Sequence, residues 1–228
     1  MLTDILRRGP LTRARLEAFS DGVFAIVVTL LVLELRVPHL HLGSSPQELA
    51  HELRAIVPKL LSWAVSFFVV VKFWVNHSYI LSLARCASYA CFWINALFLM
   101  GQAFIPFPTA LLGEYPGNPL AVSFFGATLL VCCLLFVWLH HYVNAHLLRD
   151  ADQYVPSRPL LLRSLVGPVC YALGAALAWV SIPLSLAVYL FTPLFFVVPL
   201  QPHRGHAVAE GIIEQEEMRY HAGLHHAH

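Results

Sequence analysis

Arg15, Ser20 and Asp21 set a guanidinium, a hydroxyl and a carboxylate within two helical turns, and the chain then runs straight into the apolar stretch 22–33. Between Asp21 and Glu34 lie twelve uncharged residues, about 18 Å of helix against a hydrocarbon core of roughly 30 Å. A helix here cannot cross a membrane without carrying charge into its boundary. Ionisable groups at that depth are costly unless they are paired or face a wet interior, so each implies a partner. His77 is the partner suggested by depth: it lies near the end of a predicted second helix, at a height matching that of Asp21. Ser20, Asp21, His77 and Arg15 can exchange hydrogen bonds where little water competes. Two readings stay open: a bracket that fixes the first helix, or an N-cap in which Ser20 or Asp21 satisfies free amides.

The elements that hold these residues follow from composition. Hydrophobic residues make up 58% of the 228 and charged residues 12%, against about a quarter charged in a soluble domain. The chain reads as an all-α polytopic membrane protein. No Asp, Glu, Lys or Arg occurs between Arg85 and Glu114, from Tyr115 to Leu148, or in the forty residues Ser164 to His203. Forty residues make about 60 Å of helix, twice the membrane, so the last run holds two spans with a hairpin near Ser181 and Pro183. Six transmembrane helices are predicted near 16–35, 57–81, 87–112, 119–147, 160–180 and 184–200. The organisation is a cytosolic segment 1–15, a membrane domain 16–200 and a His-rich cytosolic tail 201–228 with a short helix over Glu210–Tyr220. Residues 36–56 form the one substantial external loop.

Arginines orient the chain. Arg7, Arg8, Arg13, Arg15, Arg85, Arg149, Arg158, Arg163, Arg204 and Arg219 fall on one side, against Arg36, Arg54 and Lys59 on the other. This asymmetry predicts both termini in the cytoplasm of a cell-membrane protein. No cleavable signal peptide is expected. A net charge of +1 excludes a strongly basic nucleic-acid surface. Cys86, Cys91, Cys132, Cys133 and Cys170 lack a CxxC pair and read as small apolar residues. His140, His141 and His146 lack the i, i+4 spacing of a helical metal pair, so no metal site is assigned. Lys72 either lines a polar cavity or snorkels. Glu34 and Arg36 stand at the outer mouth, and prolines 106, 108, 168, 193 and 199 read as kinks or ends.

Along the first helix, Gly22, Ile26, Thr29, Leu30 and Leu33 share one stripe, with Asp21 about 140° from Ile26 and Val28 assigned to lipid. The stripe packs against lipid or core, or lines an axis shared by several copies.

Arg15, Phe19, Ser20, Asp21 and Ile26, with Phe73, Trp74 and His77 on the second helix and Asn95 and Ile105–Leu112 on the third, resemble the signature of the transmembrane protein 175 family. The resemblance covers about the first half of the chain. It implies a potassium-preferring channel of the six-helix prokaryotic type, four copies of which build one pore lined by the first helix. It further implies an apolar constriction at Ile26, with Leu30 and Leu33 along the same stripe, and a hydroxyl layer at Thr29 that favours K+. Ala25 stands where some members carry serine. In the family, the Arg15–Ser20–Asp21 motif is proposed to bind with His77 in a network that sets the angle of the pore helix. The implied function needs no cofactor, only lipid and monovalent cations as partners. The alternative is a proton-coupled transporter or membrane enzyme using Asp21 and His77. An enzyme would show converging carboxylates or a histidine box, and a transporter a second copy of the first-half motifs; the sequence carries neither.

Overall fold

Thr12 starts the first helix, α1 (Arg13–Leu33), by accepting the Arg15 amide on its hydroxyl at 3.4 Å. The computed structural model describes residues 12–38, 45–148 and 157–195. After α1 come α2 (Pro46–Ala55) and α3 (Val57–Leu83), then α4 (Tyr89–Phe104) and α5 (Pro106–Glu114). α6 (Pro119–His146), α7 (Ser157–Leu177) and α8 (Ile182–Phe195) complete the order, with no β-strand among the described residues. Four stretches are long and apolar enough to cross a membrane: α1, α3, α4 with α5, and α6; shorter apolar stretches occupy Leu165–Leu177 and Ile182–Pro193. The chain is an all-helical, multi-pass membrane protein.

Two expectations change. The predicted loop 36–56 contains α2, because Ser45 and Glu48 form a capping box (Ser45 N–H to Glu48 at 2.9 Å, Glu48 N–H to Ser45 Oγ at 3.3 Å) with Pro46 opening the helix. Reciprocal capping satisfies two orphan amides and makes a short helix worth forming. The predicted third span 87–112 divides at Ile105, since Pro106 has no N–H to continue the ladder. Beside the break Thr109 gives its hydroxyl to Ile105 O at 2.8 Å and lies 2.7 Å from Ser66 Oγ of α3. Pro168 and Pro193 lie inside α7 and α8; Pro199 and the tail lie outside the described residues.

The helices alternate in direction. At one end Arg13 of α1 donates to Ala84 O at 3.2 Å, and Arg85 N–H donates to Leu147 O at 2.7 Å. At the other end Glu34, Arg36, Lys59 and Glu114 surround a cavity of about 400 Å³, with Lys59 and Glu114 paired at 2.5 Å.

Three helices close around Tyr189 of α8, which is 1% exposed. Its hydroxyl donates to Val122 O of α6 at 3.1 Å, and its ring lies against Gly126 of α6 and Gly174 of α7, where an added Cβ would overlap it. Ser185 Oγ donates to Gly174 O at 2.6 Å and Ser123 Oγ to Ala175 O at 2.8 Å. Small residues thus let these helices approach closely while hydroxyls spend their protons on carbonyls, the pattern of packing in lipid. Gly126→Ala and Gly174→Ala are each expected to destabilise by about 1–3 kcal/mol, the cost of overpacking. Gly117→Ala, which meets nothing within 4 Å, should stay within about 0.5 kcal/mol. Thermal unfolding of the detergent-solubilised protein measures all three.

Candidate functional site

α1 has two unlike faces. Leu16, Ser20, Phe24, Val27 and Leu31 are buried against α3 and α4, while Gly22, Ile26, Thr29, Leu30 and Leu33 are exposed. The uncovered surface of α1 is broad: it includes this stripe and also Asp21, Ala25 and Val32. Ile26 is 59% and Leu33 69% exposed, and a Cβ on Gly22 would meet nothing within 4 Å. Phe19 and Arg15 extend the exposed face toward the helix start. Val28, expected to face lipid, is half-buried against the core.

The buried face is held by a directed hydrogen-bond chain. Ser20 Oγ donates to Leu16 O at 2.8 Å, so the oxygen is left to accept from Asn95 Nδ2 at 3.0 Å. Asn95 Oδ1 then accepts from His77 Nε2 at 2.6 Å, which assigns a proton to Nε2 because the amide oxygen can only accept. Ser20, His77 and Asn95 are 0%, 1% and 1% exposed, so this chain joins α1, α3 and α4 away from competing solvent.

Aromatic rings wall it in. His77 stacks on Phe98 at 5.6 Å and 15°, and Phe24 lies 5.5 Å from the imidazole. Phe73 and Phe136 pack on Phe98 at 5.8 and 5.6 Å. In such a dry setting each hydrogen bond is strong, and each broken one leaves a costly orphan.

Asp21 and Arg15 do not join this chain. Asp21 is exposed and accepts from Trp74 Nε1 at 2.8 Å, because one residue past Ser20 turns the side chain about 100° away from Asn95. Arg15 precedes Ser20 by five residues, about 140° round the helix, and its side chain falls on the exposed stripe. The proposed Asp21–His77 pair is therefore two neighbouring contacts, Ser20–Asn95–His77 and Asp21–Trp74. The spacing of Phe73, Trp74 and His77 on α3 explains itself: Phe73 fills the core, Trp74 holds Asp21, and His77 holds Asn95.

Asn95 is the member missed by depth matching. Its signal was in the sequence: with Gln102, it is one of two amide side chains in the charge-free run 86–113, and a lone amide in an apolar helix needs a partner. Thr29 Oγ lies 2.8 Å from Ile26 O and 3.1 Å from Ala25 O. Its proton is used within the helix, and the exposed hydroxyl oxygen retains lone pairs. Of the remaining candidates, Lys72 is half-buried in α3, His140 lies 6.2 Å from Phe136, and His146 stacks on Tyr142 at 4.7 Å. Among the described residues no group of three or more His, Cys, Asp or Glu is placed to hold a metal ion.

Asn95→Leu keeps the shape but orphans His77, while Ser20 keeps its bond to Leu16 O, and should cost about 1–3 kcal/mol, the cost of one unmet buried partner. Double-mutant cycles on thermal stability should give coupling of about 0.5–3 kcal/mol for Ser20→Ala with Asn95→Leu and for Asp21→Ala with Trp74→Phe. The Asp21→Ala and His77→Ala cycle should give a smaller coupling than either.

Residues 15–106 match the family described as the endosomal/lysosomal potassium channel TMEM175. A potassium channel of Chamaesiphon minutus is 36% identical over 189 residues, covering 81% of this chain and 93% of that protein. A potassium channel of Streptomyces collinus is 35% identical over 188 residues, covering 80% and 90%. The crystal structure of a lysosomal potassium-selective channel TMEM175 homologue from Chamaesiphon minutus matches with a TM-score of 0.70 and 36% identity, over 82% of this chain and 96% of that one. The likeness extends well past the first-half motifs and covers nearly the whole of both relatives, and on it the chain belongs to the TMEM175 family.

Proposed function

We propose that this protein is a potassium-preferring cation channel in which four copies surround a pore lined by α1. The carrying observation is the two-faced first helix. One side is bound by Ser20–Asn95–His77 and its aromatic wall, and the other, with Ile26, Thr29, Leu30 and Leu33, is left uncovered by the protomer. Membership in a family whose relatives are named potassium channels supplies the ion.

In this reading an ion passes apolar rings at Ile26, Leu30 and Leu33 only by shedding part of its hydration shell. The oxygen of Thr29 offers a ligand within that passage. The hydrogen bonds inside the protomer act by fixing the rotation of α1, since any turn about its axis would move Ile26 off the pore. Asp21 and Trp74 secure the same helix at its flank, and Arg15 lies at the pore entrance.

The topology proposed with it has six spans over residues 16–200 of a cell-membrane protein, with segments 1–15 and 201–228 in the cytoplasm. The end at which Arg13 and Arg85 gather is then cytosolic. The cavity of Glu34, Arg36, Lys59 and Glu114 opens outside. The ion gradient drives the flux, with no coupled reaction.

Purified protein in liposomes should pass K+ down its gradient faster than Na+, and native mass spectrometry should find a tetramer. A monomer that still conducts would overturn the pore assignment. Ile26→Asn should raise the current and weaken K+ preference, because an amide can hydrate an ion where an alkyl group cannot. Thr29→Val keeps the shape and removes the oxygen, so it should lower K+ preference without a comparable rise in current. Reversal potentials under bi-ionic conditions separate the two effects.

A further inference from the structure

Among the described helices, α2 alone has no buried residue. Its sequence is nonetheless sorted into two faces. Leu49, Leu53 and Ile56 recur at i, i+4 and i+7 on one stripe, and Glu48, His51, Glu52 and Arg54 occupy the rest of the circumference. Leu49 is 44% and Leu53 46% exposed, so the protomer leaves this stripe uncovered.

The height of α2 is set by its connection. Ile56 alone separates it from α3, a membrane-crossing helix that opens at Val57. One residue reaches at most about 3.6 Å, so the C-terminal end of α2 cannot leave the level at which α3 enters the bilayer. Lys59 and Glu114 pair at this same level, as charged groups do at the water boundary, and the exposed Leu60 and Leu61 carry the apolar surface on along α3.

We propose that α2 is an interfacial helix whose partner is the phospholipid surface, with Leu49 and Leu53 seated between headgroups and acyl chains and Glu48 and His51 turned to water. A short amphipathic helix held at this depth fits the geometry of helices that lie in the membrane plane. A second copy of the chain is the competing cover. Two leucines and an isoleucine fall far short of the roughly 800 Å² per partner that a stable protein contact buries, so a copy could cover this stripe only as the margin of a larger interface, an outcome that the test below separates. The inference rests on α3 spanning the membrane and not on what the protein conducts.

The test uses the full-length protein reconstituted in phosphatidylcholine vesicles. The environment-sensitive fluorophore NBD is attached at Leu53→Cys, Leu49→Cys or Glu48→Cys, in a Cys86→Ser, Cys170→Ala background that removes the two thiols not fully buried. Emission from positions 53 and 49 should be blue-shifted and quenched by lipid carrying a nitroxide at acyl carbon 5, by roughly twofold or more over one at carbon 12. Position 48 should emit as in water and resist both. Blue-shifted emission from 53 and 49 without quenching would mean that protein covers the stripe. Water-like emission there, or quenching at 48 equal to that at 53, would equally overturn the proposal.

Discussion

A bilayer interior supplies no water to a polar side chain, so a buried polar group left without a partner is costly there; Gln102, 0% exposed on α4, bears that cost with both amide atoms unpaired, whereas Asn95 on the same helix is fully engaged. Asn95 answers two at once. Its amide nitrogen reaches Ser20 on α1 and its oxygen receives His77 from α3. The direction of the chain is forced from one end, because Ser20 has already given its proton to Leu16 O. Reversing any member sets two donors or two acceptors against each other. The same requirement recurs farther along, where Thr109 meets Ser66 beside the helix break.

This constraint makes α1 asymmetric in consequence. Polar contacts and rings bind one side of it so firmly that the opposite side is presented without alternative. The apolar residues there, Ile26, Leu30 and Leu33, are ones that any membrane helix could offer to lipid. What distinguishes them is that a directed hydrogen-bond chain decides which way they point. Thr29 follows the same logic on a smaller scale, its proton occupied by the helix backbone and its oxygen left outward.

Around that first half, the remaining helices close by another means. α6, α7 and α8 meet where Gly126 and Gly174 make room for Tyr189, and their contacts are small residues and serine hydroxyls on carbonyls. Burial of apolar surface gives no preference between lipid and protein, so close approach is what holds such helices together. The two regions thus differ: specific polar bonds orient α1 against α3 and α4, and close packing joins α6, α7 and α8.

Much of this was legible in the residues alone. Charge-poor runs gave the four long apolar stretches, because a membrane tolerates few charges, and the alternation of arginines gave the grouping of ends. The period of α1 gave the stripe, and the family signature at Arg15, Ser20, Asp21, Phe73, Trp74 and His77 gave the kinship. The sequence did not reveal α2, whose capping box lay in a polar stretch read as a loop. Nor did it say which polar groups pair. Equal depth made Asp21 and His77 natural partners, but depth is only one of three coordinates. The rotation of each helix about its axis turns Ser20 toward Asn95 and Asp21 toward Trp74. Rotation is settled by packing between helices distant in sequence, Phe24 against His77 and Phe98. The types of residue in the site and their height belong to the sequence; their pairing belongs to the tertiary structure, because a hydrogen bond needs two side chains to share one direction as well as one level.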